Sequence, residues 1–336
     1  MKLHLLPFLI FLLLLVGCTT SNEQINMVWK ERNIPEMTPL QESDSLVIPQ
    51  TFNLLTWSIN GNSIYFVSSG MQDNFLSVYR YPECVKRFDF GRIGQGADEF
   101  ITLNAGEARN NRLLLYDIMG RKALLLDTED DTLCIADRLA LYNDEEGLCR
   151  PFTYITQMDT DNYVMKIDDA TSSAWEIADL KSGEVKSSFE NLNRTEKYSY
   201  TPFDFIQCIG DTTLLVAYKY MDKIEYYSIK DCQIHPLFAM GSHTNQAEIK
   251  DYNYLMQYYV DVVFRNGLFY CLKSDDGMES GNLIEVYDMQ GQCKANYLLD
   301  KKISSMRFDM NGFLIGYVDE LNQTTLYRFA PGKNNK

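Results

Sequence analysis

The chain has 336 residues and carries 31 Lys+Arg against 46 Asp+Glu, a formal net charge of −15. Such a chain is repelled by phosphate backbones, which argues against nucleic-acid binding. Hydrophobic residues make up 46% of it, enough for a full core and against wholesale disorder, and the 13% aromatic share (22 Tyr, 18 Phe, 3 Trp) favours strands over helices.

Lys2 is the only formal charge ahead of an apolar run from Leu3 to Val16, interrupted by His4 and Pro7. The run is too short for a helix across a bilayer core, which takes about 20 residues, but it suits the core of an export signal. It closes on Leu15-Val16-Gly17-Cys18, which resembles the lipobox of bacterial lipoproteins. That resemblance implies a signal peptide over residues 1–18, cleavage before Cys18 and an acyl chain (palmitate) on Cys18. An ordinary secretory signal with an incidental cysteine is the alternative. Without Lys2 the charge is −16, so attachment would be through lipid and not through a basic patch. The implied location is the cell envelope, at the outer membrane, with the periplasmic and surface faces both open because only Glu23 follows Cys18 closely. Residues 19–44, with Pro35 and Pro39, read as a flexible polar tether.

Beyond Cys18 stand seven cysteines: Cys84, Cys134, Cys149, Cys208, Cys232, Cys271 and Cys293. Their wide spacing, without a C-x-x-C, excludes a zinc ribbon or a redox dithiol. Several fall in strand-like runs, where cysteine behaves as a small hydrophobe, so buried thiols are expected ahead of a disulfide framework.

The most informative feature is a period. Tight-turn pairs between apolar runs occur at Asn60-Gly61, Asn110-Asn111, Asp161-Asn162, Gly210-Asp211, Asn266-Gly267 and Asn311-Gly312, with gaps of 50, 51, 49, 56 and 45 residues. Asn, Asp and Gly suit such turns because hairpins need positive φ. After each turn comes a short β run, a polar gap, a second run (Phe75–Tyr81, Lys122–Leu126, Ala174–Leu180, Lys223–Ile229, Leu283–Met289, Thr324–Phe329) and, in five units, a third. With the run before each turn, that makes about four strands per unit. Four antiparallel strands at this period predict the blades of a propeller. The chain is therefore expected to be all-β, a six-bladed β-propeller over residues 45–331. The last unit lacks its fourth strand, and the unassigned run at Ser45–Ile48 is expected to supply it and latch the ring. Two β-sandwiches or a solenoid are the alternatives. In the longest gap, Asn245–Tyr258 shows near-helical spacing at Ile249, Tyr252 and Met256, which predicts a short helix on one rim.

Gly94-x-Gly96-x-x-Glu99-Phe100, followed by Leu113-Leu114-Leu115-Tyr116-Asp117, resembles an NHL-type blade junction. More broadly, signal, lipobox, tether and six repeats together resemble the TolB-like six-bladed β-propeller lipoproteins of Gram-negative bacteria. Ala97-Asp98 stands where such proteins usually have Pro-Gly. The resemblance implies fold and envelope location. The glycines also invite a phosphate-loop reading, but no βαβ unit surrounds them.

Chemistry is sparsely marked. Only His235 and His243 follow the signal, too few for a three-histidine metal site, and both read as surface residues. No G-x-S-x-G, H-E-x-x-H or S-x-x-K occurs, and Asp127–Asp131 lacks the EF-hand ligand order. Asp117 and Asp168 end β runs, where Asp caps turns. No cofactor or metal is implied. Asp204 and Asp261 lie seven and six residues before the second turn residue of their units, at the start of an inner strand, and Arg307 lies five before its own, one step off the Asp261 register. With Arg92, Asp98 and Glu99 on the first inter-blade junction, they are the candidates for a ligand-binding rim at the channel mouth. The leading expectation is a non-enzymatic, lipid-anchored module that binds an envelope protein or glycan. The alternatives are a hydrolase or lyase on a carbohydrate or lactone with a divalent cation in the channel, and a structural spacer.

Overall fold

The computed structural model describes residues 27–68, 74–96, 99–106, 112–120, 122–127, 133–140, 152–168, 173–190, 204–243 and 256–330. These form strands and their connections, with no helix among them and none that could cross a membrane. Outside them lie the N-terminal apolar run with Cys18, Asp98, Cys149, most of Asp127–Asp131 and all but the last three residues of the stretch where a short helix is expected.

Six sheets follow one another around a ring. From the axis outward, blade one comprises Leu54–Asn60, Ser63–Ser68, Asn74–Arg80 and Val85–Ile93, and blade two Leu103–Gly106, Arg112–Asp117, Lys122–Asp127 and Cys134–Ala140. Blade three comprises Phe152–Gln157, Asn162–Asp168, Ser173–Asp179 and Glu184–Glu190, and blade four Phe205–Ile209, Thr213–Tyr218, Lys223–Lys230 and Gln233–Gly241. Blade five runs through Tyr259–Arg265, Leu268–Lys273, Gly281–Asp288 and Cys293–Ile303. Blade six holds Ser305–Phe308, Leu314–Glu320 and Gln323–Phe329, and takes its outer strand, Glu42–Ile48, from the start of the chain. The pairing is antiparallel with Leu326 opposite Leu46, so the ring closes as the unit count requires. The predicted turns within the described residues fall between first and second strands, Asn110-Asn111 lying outside them, and Asn266 and Gly267 sit at φ +50° and +77°, the left-handed region that makes Asn-Gly apt there.

The hydrophobic core lies between blades. One apolar cluster fills each seam, and the cluster of Ile48, Trp57, Phe66, Ile315 and Leu326 joins blade six to blade one. Second strands are sandwiched on both faces, so Ser63–Ser68 and Thr213–Tyr218 are buried throughout, whereas outer strands such as Val85–Ile93 are largely exposed. Two polar bridges pin the seams. Trp57 Nε1 donates to Ser305 Oγ (2.6 Å), and Trp175 Nε1 donates to Gln207 Oε1 (3.0 Å). The indoles thus bury their area without leaving a stranded N–H.

One expectation is corrected. Residues 19–44 read as a flexible tether, yet Val28–Lys30 adds in parallel to the outer strand of blade four and Thr38–Leu40 to that of blade five. An open sheet edge offers unpaired backbone groups, and a short strand with Pro39 can use them because edges tolerate proline.

Candidate functional site

The inner strands of all six blades surround a cavity of about 750 Å³. Its lining residues, among them Gly106, Gln157, Ile209, Arg265 and Phe308, sit at or near the ends of inner strands. Arg112, Asp211 and Met310 border it from the turns and strand starts that follow. The cavity therefore opens on the face where first strands turn into second strands, opposite the inter-blade junctions.

That placement divides the six residues named from the sequence. Asp261 and Arg307 are brought together: Arg307 Nη1 donates to Asp261 Oδ2 at 2.9 Å, and Arg307 Nε donates to the Trp57 carbonyl at 2.9 Å. Asp261 Oδ2 also accepts from the Met306 N–H. Blades five, six and one are thereby tied at the channel wall. Burial raises the Asp261 carboxyl above its ordinary value despite the opposing Arg307 charge. Asp204 starts the inner strand of blade four on the opposite face, paired with Lys219 at 2.8 Å. Arg92 and Glu99 lie at the perimeter, in register with one another on the outer edge of blade one. Asp98 is outside the described residues.

The glycine motif has a structural explanation. Glu99–Phe100 forms a short parallel strand on Val85–Ile93, and the Glu99 carboxylate folds back to accept from the Gly96 N–H at 2.9 Å. A Cβ on Gly94 would overlap that carboxylate, which is why glycine stands there. Lys122 Nζ donates to the carbonyls of Gly96 and Glu99, and Phe100 is fully buried. The motif is a brace between blades one and two. Asp117 acts as expected of a turn cap, accepting from the N–H groups of Ile101, Thr102 and Gly120. His235 is exposed, and His243 stacks on Trp29 with centroids 3.8 Å apart. No disulfide joins the six described cysteines, of which Cys208 and Cys271 are buried.

Two groups escaped sequence reasoning. Arg265 and Arg112 face the channel from blades five and two, opposite each other across the ring. Arg265 Nη1 donates to the Asp309 carbonyl (3.0 Å), and its guanidinium lies 4.8 Å from the centre of the Phe308 ring. Both arginines flank turn pairs, Arg112 directly after Asn110-Asn111 and Arg265 directly before Asn266-Gly267. That adjacency was the available signal.

The second group is a charged cluster in the seam of blades four and five. Arg32 threads between them and donates to Asp222 Oδ1 (2.9 Å), Tyr259 Oη (3.0 Å) and the Asp222 carbonyl (3.0 Å). Lys273 Nζ donates to Asp222 Oδ1 and Glu285 Oε1, both at 3.0 Å, and Tyr287 Oη donates to Glu285 Oε2 at 2.7 Å. Gly241, at φ +97°, leaves the space that Arg32 fills. Burial would raise the Asp222 carboxyl, but the Arg32 hydrogen bond and the charges of Lys273 and Arg32 hold it below its ordinary value.

Among the described residues, no group of three or more His, Cys, Asp or Glu is placed to hold a metal ion. The Asp309 carboxylate at the channel is engaged: Oδ1 accepts from the Asn311 and Phe313 N–H groups, and Oδ2 accepts from Tyr81 Oη.

Comparison with known proteins agrees with this architecture. No curated protein matches the chain. Among solved structures, the chain is similar to a protein described as exported, from Bacteroides fragilis (TM-score 0.57, 12% identity, 91% of this chain and 99% of that one). It is likewise similar to a member of the duf4221 family from Bacteroides vulgatus (TM-score 0.57, 11% identity, 87% and 97%). A luciferin-regenerating enzyme shares the fold at a TM-score of 0.50, with 10% identity over 86% of this chain and 96% of that one. At these identities the likeness is one of fold. The family model for TolB-like 6-blade propeller-like proteins matches residues 58–311, over half of the sequence, and the chain belongs to that family.

Proposed function

We propose that this protein is an exported, lipid-anchored propeller of the cell envelope that binds a protein or glycan partner through its channel and catalyses no reaction. The observation that carries the reading is the 750 Å³ cavity to which every blade contributes, within the roughly 300–1,000 Å³ span of small-molecule sites. Its wall mixes the aromatic rings Phe264 and Phe308 with polar groups such as Thr56, Ser58 and Gln157. Export is supported by the apolar run ending in Cys18 and by the neighbour described as exported. The alternative of a channel cation gains no support from the wall, because Asp261 and Asp309 are committed to arginine, tyrosine and backbone N–H groups.

The test is a pull-down from a solubilised envelope fraction with the wild-type ring and with Ser58→Trp, which fills the channel. The reading expects a stoichiometric partner that Ser58→Trp loses while melting near the wild-type temperature. Equal recovery by both, or no partner in any fraction, contradicts it. Metabolic labelling with palmitate tests the anchor: label should enter the wild type and be absent from Cys18→Ala.

A further inference from the structure

Resting on the channel being the binding site, we propose that its ligand is anionic: a short acidic glycan whose carboxylate or sulfate is gripped between Arg265 and Arg112. The chain as a whole is strongly acidic, yet the charged side chains lining the channel are Arg112, Arg265 and Arg307 against Asp211 and Asp309. Arg307 is neutralised by Asp261, and the Asp309 carboxylate is consumed by Tyr81 and two backbone N–H groups. What faces the cavity is then Arg112 and Arg265 from opposite walls, with Asp211 at the mouth.

Arg265 is built to hold an anion. A guanidinium carries five N–H donors in a planar fork. Among the described residues its hydrogen bond is the one to the Asp309 carbonyl, and the residue lines the cavity, so its other donors are left for a ligand there. The guanidinium carbon sits 4.8 Å from the Phe308 ring centre, a cation–π contact that helps hold the group in place, and such a fork can bind a carboxylate or sulfate in bidentate fashion. Two like charges brought to one cavity by blades distant in sequence repel one another, and an anion between them removes that cost.

The rest of the wall fits a sugar. Part-exposed Phe264 and Phe308 offer apolar ring surface, and part-exposed Thr56 and Ser58 bring hydroxyl groups, a mixture suited to the CH faces and hydroxyls of a saccharide. The acidic exterior sets the length. A long polyanion running out of the channel meets a surface of its own sign, so one to three residues are favoured over a polymer.

Calorimetric titration of the purified ring with digalacturonate, a sulfated heparin disaccharide and neutral cellobiose tests the proposal. At least one acidic probe is expected to bind and cellobiose is not, with affinity falling as sodium chloride rises. Arg265→Gln should weaken acidic-probe binding by about tenfold or more. Arg112→Gln, on the opposite wall, should do the same and serves if Arg265→Gln folds poorly. Equal binding of cellobiose, binding unchanged in both variants, or tighter binding of tetraglutamate than of either acidic sugar would overturn the assignment. A partner lost from Ser58→Trp in the pull-down, with no saccharide bound, overturns the acidic glycan alone. Failure of the pull-down overturns the channel reading beneath it.

Discussion

Two regions of the ring hold arginine in opposite ways. In the seam of blades four and five, Arg32 is almost buried and surrounded by Asp222, Glu285 and Tyr259. At the channel, Arg265 meets one backbone carbonyl and one aromatic face, with open space beyond. The seam is saturated, as buried charge must be if desolvation is not to unfold the region. The channel keeps donors to spare. Saturated charge locks a joint, whereas charge left facing a cavity awaits a ligand.

The largest way to break this contrast is Glu285→Ala. It leaves Arg32 and Lys273 to share Asp222 alone in a buried seam, so a loss of about 3 kcal/mol is expected in urea unfolding. A loss under about 1 kcal/mol would mean that the seam is not a lock. Next is Gly241→Ala, whose Cβ would take the space of the Arg32 guanidinium at a φ that L-residues avoid. Backbone strain of this kind costs about 1–3 kcal/mol. Limited trypsin digestion should cut faster after Lys30 and Arg32 in this variant, and an unchanged rate would mean that the segment around Arg32 is held elsewhere.

Acid titration sharpens the comparison. The Asp222 carboxyl is depressed in the folded state, so its contribution is fully present above the ordinary aspartate value of about 3.9. It is lost as pH falls toward the depressed value. Arg32→Ala should flatten the stability curve over that acid range, and parallel curves for variant and wild type would contradict the linkage. The smallest expected effect is on folding at the channel. Arg265→Gln gives up one hydrogen bond to a carbonyl, about 1 kcal/mol or less, and Met310→Ala, at an exposed position of the mouth, stays within about 0.5 kcal/mol.

Much of the fold was legible because turn chemistry is local. Asn60-Gly61, Asn266-Gly267 and Asn311-Gly312 mark the first turn of their blades, and a period near fifty residues leaves few architectures. The closing strand was legible by subtraction, since the last unit was one strand short. The docking of residues 28–40 was not: a segment with Pro35 and Pro39 shows no strand pattern, and its order comes from edges and carboxylates supplied about two hundred residues away. The candidate site was half legible. Asp261 and Arg307 were found by register, but Glu99 and its glycines stood out because a carboxylate folded on backbone demands glycine, not because they bind. Arg112 and Arg265 passed unremarked because an arginine beside a turn is ordinary until the ring brings two of them to one cavity.

The most direct measurement is a double comparison by calorimetry: the acidic disaccharide that binds the wild type, digalacturonate or the sulfated heparin disaccharide, titrated into Arg32→Ala and into Arg265→Gln. The account predicts that Arg32→Ala melts earlier and keeps wild-type affinity, while Arg265→Gln melts near the wild type and loses it. Affinity lost in Arg32→Ala and kept in Arg265→Gln would contradict the account at its root.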